Sequence, residues 1–142
     1  MFSSVLLPVD LAAATGWERP RDLAVDLCRR GGGALHVLTV LPDFGMSIVG
    51  SYFEQDFAGR AIADVEVKLA AWIADAVPGD VAASPHVAHG TIYDEIMRAA
   101  DRIGVEAIIL GAHRPEMRDY LLGSNAARVV RHARQSVLVV RS

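Results

Sequence analysis

Short apolar runs alternate with stretches of helical period along the whole chain, and few folds accommodate that rhythm. Val5, Leu6, Leu7 and Val9 form the first run, which Asp10 closes. So compact an apolar block suits a strand buried on both faces. Leu23, Ala24, Leu27 and Cys28 then recur at helical spacing, with Pro20 suited to the first turn and Gly31-Gly32-Gly33 to the stop. Residues 34–41 read as a second strand that Pro42 ends. Helical period returns from Ala58 through Ile62, Val65, Leu69, Trp72, Ile73 and Ala76, and Pro78-Gly79 ends it.

Residues 81–87 are a weaker third strand, interrupted by Pro85, which suits a sheet edge. Thr91 with Asp94 makes a start resembling a capping box, and Ile92, Ile96, Ala99, Ala100 and Ile103 share one helix face. Residues 105–110 are the clearest strand, and 111–124 a loop. A helix over 125–133 turns Ala126, Val129, Val130 and Ala133 inward and Arg128, Arg131 and Arg134 outward. Residues 137–140 form the last strand. Five strands separated by helices predict right-handed crossovers and an α/β fold with a parallel sheet. No linker or repeat divides residues 1–142, so one domain is expected; 52% hydrophobic residues supply its core.

One segment resists the pattern. Residues 42–55 carry Phe44, Met46, Ile48, Val49, Tyr52 and Phe53 with no steady period. They read as a long loop that covers something or contacts a partner, or that folds onto its own core.

Several classes drop out. A formal net charge of -3 gives no bulk attraction to nucleic acid or anionic membrane. The apolar runs are too short to span a bilayer, and the first ten residues lack a signal peptide's basic start and cleavage site. Cys28 is the only cysteine, so no intrachain disulfide forms. A cytoplasmic location is the expectation.

Open parallel sheets bind ligands beyond the carboxyl ends of their strands, where strand order reverses. Alternation alone does not choose between orders such as 2-1-3-4-5 and others. Two strand ends are chemically equipped. The first carries Pro8, Val9 and Asp10; the fourth carries Gly111, His113 and Arg114 and runs to Gly123, Ser124 and Asn125 before a helix. Free N–H groups at a helix N-terminus suit phosphate, Gly123 permits close backbone approach, and Arg114 offers a planar fork. A plainer reading has Ser124 or Asn125 capping the helix and Gly123 permitting a turn. Phosphate-loop, nucleophile-elbow and zinc signatures are absent from the sequence. His86 and His89, near the end of the third strand, lack a third ligand at a telling spacing, so no metal site is expected. His36 reads as a half-buried structural residue, His132 as a helix-end cation, and Cys28 and Trp72 as core.

The stretches Gly111-Ala-His-Arg-Pro, Tyr-Leu-Leu-Gly123-Ser-Asn-Ala-Ala-Arg-Val-Val-Arg-His and Ser136-Val-Leu-Val-Val-Arg141 resemble the C-terminal signature of the universal stress protein family. Val5-Leu-Leu-Pro-Val-Asp10 and Leu35-His-Val-Leu-Thr-Val40 resemble its first two strands. The resemblance implies a five-stranded parallel sheet of order 3-2-1-4-5, with helices on both faces, of the adenine nucleotide alpha hydrolase-like type. It implies ATP binding, or AMP or ADP, with Mg2+ on the phosphates. Asp10 would contact ribose or adenine, Pro8 and Val9 would wall the base, and Val40 would offer backbone groups to its edge. Leu110, Gly111, His113 and Arg114 would border sugar and phosphates; Gly123, Ser124 and Asn125 would cradle the phosphates. The family's second motif glycine is missing and the 111–123 stretch is one residue shorter, as in a short-loop bacterial subgroup. Leu11-Ala12 stands where many members have Gly-Ser.

The expected function is a stress-type regulator that signals through its bound nucleotide. A slow ATPase and a ligand-free interaction module are the alternatives. The expected partners are a second copy, paired through the apolar last strand, and an unidentified regulatory protein.

Overall fold

The computed structural model describes residues 2–42, 51–112 and 123–141, and the backbone alone over 51–58. Five strands and four helices alternate: β1 (Ser4–Pro8), α1 (Glu18–Gly31), β2 (Ala34–Leu41), α2 (Ser51–Ala76), β3 (Ala83–His89), α3 (Ile92–Ile103), β4 (Ala107–Gly111), α4 (Ser124–His132) and β5 (Ser136–Val140). The strands form one sheet of order β3-β2-β1-β4-β5, the order the resemblance implies, and every pairing is parallel.

Period-two alternation in the strands builds two cores, one on each face of the sheet. Val5 and Leu7 of β1 join Leu35, Val37, Ala107 and Ile109 on the face that α1 and α2 cover, where Ala24, Val25, Cys28 and Leu69 meet them. Leu6 joins Leu38, Ile108 and Leu110 on the opposite face, against Ile96, Ala99 and Ala100 of α3 and Ala126 and Val129 of α4. Leu6, Leu35, Leu38, Ile108 and Ile109 are fully buried, each stabilising the fold by about 1.5–3 kcal/mol before entropy is counted. The α1–β2 turn is tight. Gly32 sits in the left-handed region at φ 62° and caps α1. A Cβ on Gly33 would collide with the Ser3 carbonyl, so the chain needs glycine there to reach β1.

Several boundaries differ from the sequence reading. Residues 51–55, read as loop, are the first turns of α2; Phe44, Met46, Ile48 and Val49 lie outside the described residues, as do the side chains of Tyr52 and Phe53. The third strand starts at Ala83 rather than Val81 and runs to His89, so His89 is its last residue. Ser124, not Asn125, opens α4. Val130 is 46% exposed rather than inward, because the stripe on α4 that faces the sheet is narrow and Ala126 and Val129 fill it. Thr91 does occupy the N-cap of α3, but its side chain makes no capping hydrogen bond. Among the described residues no helix is long and apolar enough to cross a membrane.

Candidate functional site

The sheet's switch point lies between β1 and β4. The crossover from β1 leads to β2 on one side, and that from β4 leads to β5 on the other. A cavity of about 380 Å³ opens there, over the carboxyl ends of the strands. Pro8, Val9, Asp10, Val40, Leu110, Gly111, Gly123 and Asn125 all line it. Ser124 is exposed at the first position of α4, beside Gly123 and Asn125. His113 and Arg114 lie outside the described residues.

The end of β1 is firmly set. The Val9 N–H donates to the Leu38 carbonyl at 2.8 Å, and the buried Thr39 hydroxyl donates to the Val9 carbonyl at 3.0 Å. The chain then turns sharply. The Asp10 carboxylate accepts the Ala12 N–H at 2.9 Å, and the Asp10 carbonyl accepts the Ala13 N–H at 3.0 Å. This Asx-type turn fixes the carboxylate at the cavity wall. Backbone groups in a strand alternate between its two neighbours. Ala34 and Leu38 point theirs toward β1, so Val40 does too. The last β1–β2 partner pair is Pro8 with Leu38, so the Val40 N–H and carbonyl face the crevice beyond the end of β1.

On the far wall, α4 begins at the cavity. Gly123 is its N-cap, buried, at φ -55° and ψ 151°, with no side-chain cap hydrogen bond. Neither Ser124 nor Asn125 is the capping residue, so the plainer reading of those two does not hold. The first-turn N–H groups, with the partial positive charge of a helix N-terminus, lie beside the cavity.

Sequence reasoning did not find Trp17, Pro20, Thr39, Ile92 or Ile96, all of which line the cavity. The topology held a signal for three of them, Pro20 in the first turn of α1 and two in α3. In a parallel sheet every helix after a strand starts at the carboxyl edge, so the first turns of α3, with Ile92 and Ile96, belong there. Gly111 has a packing role besides: a Cβ there would meet Pro20 Cγ at 3.3 Å and the Gly16 carbonyl oxygen at 3.6 Å.

His36 and His86 are not among the residues that line the cavity. His36 Nδ1 and His86 Nε2 lie 2.9 Å apart across β2 and β3, on the face α3 covers, and both rings are half-buried. Burial lowers the pKa of both, and the neighbouring His36 and Arg102 lower that of His86 further. No group of three metal-binding side chains occurs among the described residues.

Residues 1–141 match the universal stress protein family. The chain belongs to that family. Universal stress protein G of Shigella flexneri is 28% identical over 144 residues, spanning 99% of this chain and all of the relative. Universal stress protein UspA from Lactobacillus plantarum superposes with a TM-score of 0.71 at 21% identity, over 98% of this chain and 97% of the other. The universal stress protein from Archaeoglobus fulgidus in complex with dAMP gives a TM-score of 0.62 at 20% identity, over 96% and 95%. These superpositions establish that the fold is shared.

Proposed function

We infer that this chain binds an adenine nucleotide across the β1–β4 crevice and acts as a regulatory protein whose bound state carries the signal. The observation that carries the reading is the uncapped, glycine-started N-terminus of α4, set in the same cavity as Asp10 and the Val40 backbone. A phosphate there would accept the first-turn N–H groups. The Val40 N–H and carbonyl would meet the donor and acceptor pattern of a base edge. Asp10 would bond the ribose or hold Mg2+ against the phosphates. The Archaeoglobus fulgidus relative, solved with dAMP, supports a nucleotide as the ligand.

In this reading residues 1–142 act as one cytoplasmic domain of the short-loop type. Arg114, which follows Gly111 in sequence, supplies the positive charge where the longer family loop has a glycine, and His113 lies beside the phosphates. ATP is the favoured nucleotide, since that pairing rewards more phosphate. Two copies associate through β5, and a regulatory protein reads the loaded state.

Mass spectrometry of the purified, denatured protein tests for retained nucleotide. Calorimetry with ATP, ADP and AMP then compares wild type with Gly123→Val. The backbone angles at Gly123 are open to any residue, so valine adds bulk without strain. Binding should weaken at least about tenfold, ~1.4 kcal/mol. Equal affinity in the two proteins would show that phosphate does not sit there. Steady phosphate release would turn the reading toward a slow ATPase, and no binding at all toward an interaction module.

A further inference from the structure

The cations of this chain are not spread evenly. Its formal net charge is -3, yet residues 123–141 carry four arginines, Arg128, Arg131, Arg134 and Arg141, and neither Asp nor Glu. The rest of the chain is therefore more acidic than the net charge shows. In the other three helices a cation sits one turn from an acid: Arg30 meets Asp26 in α1, Lys68 meets Asp64 in α2 and Arg98 meets Asp94 in α3. α4 has no acid to do this. Among the described residues no ion pair engages Arg128, Arg131 or Arg134.

The outer face of α4 is an organised surface. Ser124, Ala127, Arg128 and Arg131 recur at i, i+3, i+4 and i+7, opposite Ala126 and Val129, and all four are exposed. Val130, also exposed, flanks that strip, and exposed Arg134 follows the end of the helix. Arg128 is held in place, its guanidinium 4.7 Å from the centre of the Tyr93 ring and donating to the Tyr93 hydroxyl at 3.1 Å. A guanidinium has several N–H donors, so that bond leaves others for a carboxylate. The field of a helix C-terminus accounts for Arg131 in the last turn, but not for Arg128, which stands before it.

We propose that the outer face of α4 is the docking surface for an acidic, amphipathic helical segment of a partner protein. Carboxylates of that segment would meet Arg128, Arg131 and Arg134, and an apolar side chain between them would lie on Ala127 and Val130. The small Ala127 lets a second helix approach closely. α4 spans Ser124–His132 and is about 13 Å long. A segment of similar length covers the basic strip without reaching the acidic remainder of the chain. A broad polyanion such as duplex DNA or an anionic membrane would extend onto that remainder and be repelled. Because α4 starts at the crevice, this partner is placed to read the loaded state; that role rests on the nucleotide reading above, whereas the surface itself does not.

Fluorescence anisotropy with a labelled helical peptide tests this. The peptide is about 15 residues long and carries glutamates and leucines on one face. Wild type should bind it, and added salt should weaken the complex, since the charge pairs lie in solvent. Arg131→Glu with Arg134→Glu should weaken binding at least about tenfold and should bind the same peptide with lysines in place of its glutamates. Both residues are exposed and outside the crevice, so the AMP affinity of this variant should equal that of wild type. Three results would each overturn the proposal: no binding of the glutamate peptide by wild type, equal binding by the variant, or displacement of the peptide by duplex DNA or phosphatidylserine vesicles at equal charge concentration. AMP calorimetry keeps the two readings apart. Peptide binding without AMP binding would remove the nucleotide reading alone, and AMP binding without peptide binding would remove the docking surface alone.

Discussion

Burial disfavours a charge on His36 and on His86, and His36 adds to this at His86. At 2.9 Å one ring nitrogen donates its proton and the other accepts it, and burial under α3 disfavours a charge on either. Arg102 adds repulsion on the His86 side. The unfolded chain has no such constraint, and its imidazoles take up protons as pH falls through about 6.5. The folded chain takes them up only at lower pH. Stability from this pair is therefore complete above the ordinary histidine value and is lost as pH falls through the depressed folded values. The urea midpoint of wild type should drop between about pH 8 and about pH 5.5, and His86→Gln should flatten that slope. An unaltered slope in the variant would show that the pair carries none of the acid sensitivity.

The two edge strands are protected very differently. β3 carries an exposed proline, Pro85, within its length, and this spoils the strand as a template for another chain. β5 reads Ser-Val-Leu-Val-Val, pairs among the described residues with β4 alone, and leaves Leu138 43% exposed. Its backbone phase identifies the residues on which pairing with a second copy would depend. The Ser136 N–H and the Val140 carbonyl bond toward β4, so Val137 and Val139 turn their backbone groups outward. Val139→Pro removes an outward donor and leaves the β4 ladder intact, whereas proline at Leu138 would damage the sheet itself. If the proposed homodimer pairs through this strand, sedimentation equilibrium at micromolar concentration will give twice the chain mass for wild type and the monomer mass for a folded Val139→Pro. A dimer that persists in the variant would move the interface elsewhere.

For the molecule as a whole, the alternation of apolar runs with helical periods made the element order legible, since each strand buried on both faces reads as an unbroken apolar block. Strand order was not in that rhythm and came only from the resemblance carried by residues such as Gly123-Ser124-Asn125. Residues 51–55 were misread because a periodicity test requires a buried face. The first turns of a helix need only the absence of a breaker, and no glycine or proline lies between Ser51 and Phe57. Pro8, Val9 and Asp10 line the crevice because a parallel sheet puts the carboxyl ends of its strands there, while Val40, which lines it too, was named only through the resemblance. Trp17 was not found, because the path of the β1–α1 loop decides whether an indole there faces the crevice or solvent. The start of α4 has one more consequence. A helix begun on glycine leaves its first amide protons to whatever fills the crevice, so an occupant would complete the helix in the way a capping side chain does elsewhere. Solvent exchange at residues 124–126 should therefore be fast in the empty protein and slow several-fold when AMP is added, whereas Ala127 already donates to the Gly123 carbonyl. Because α4 leads directly into β5, that slowing would report occupancy on the helix that precedes the proposed dimer edge.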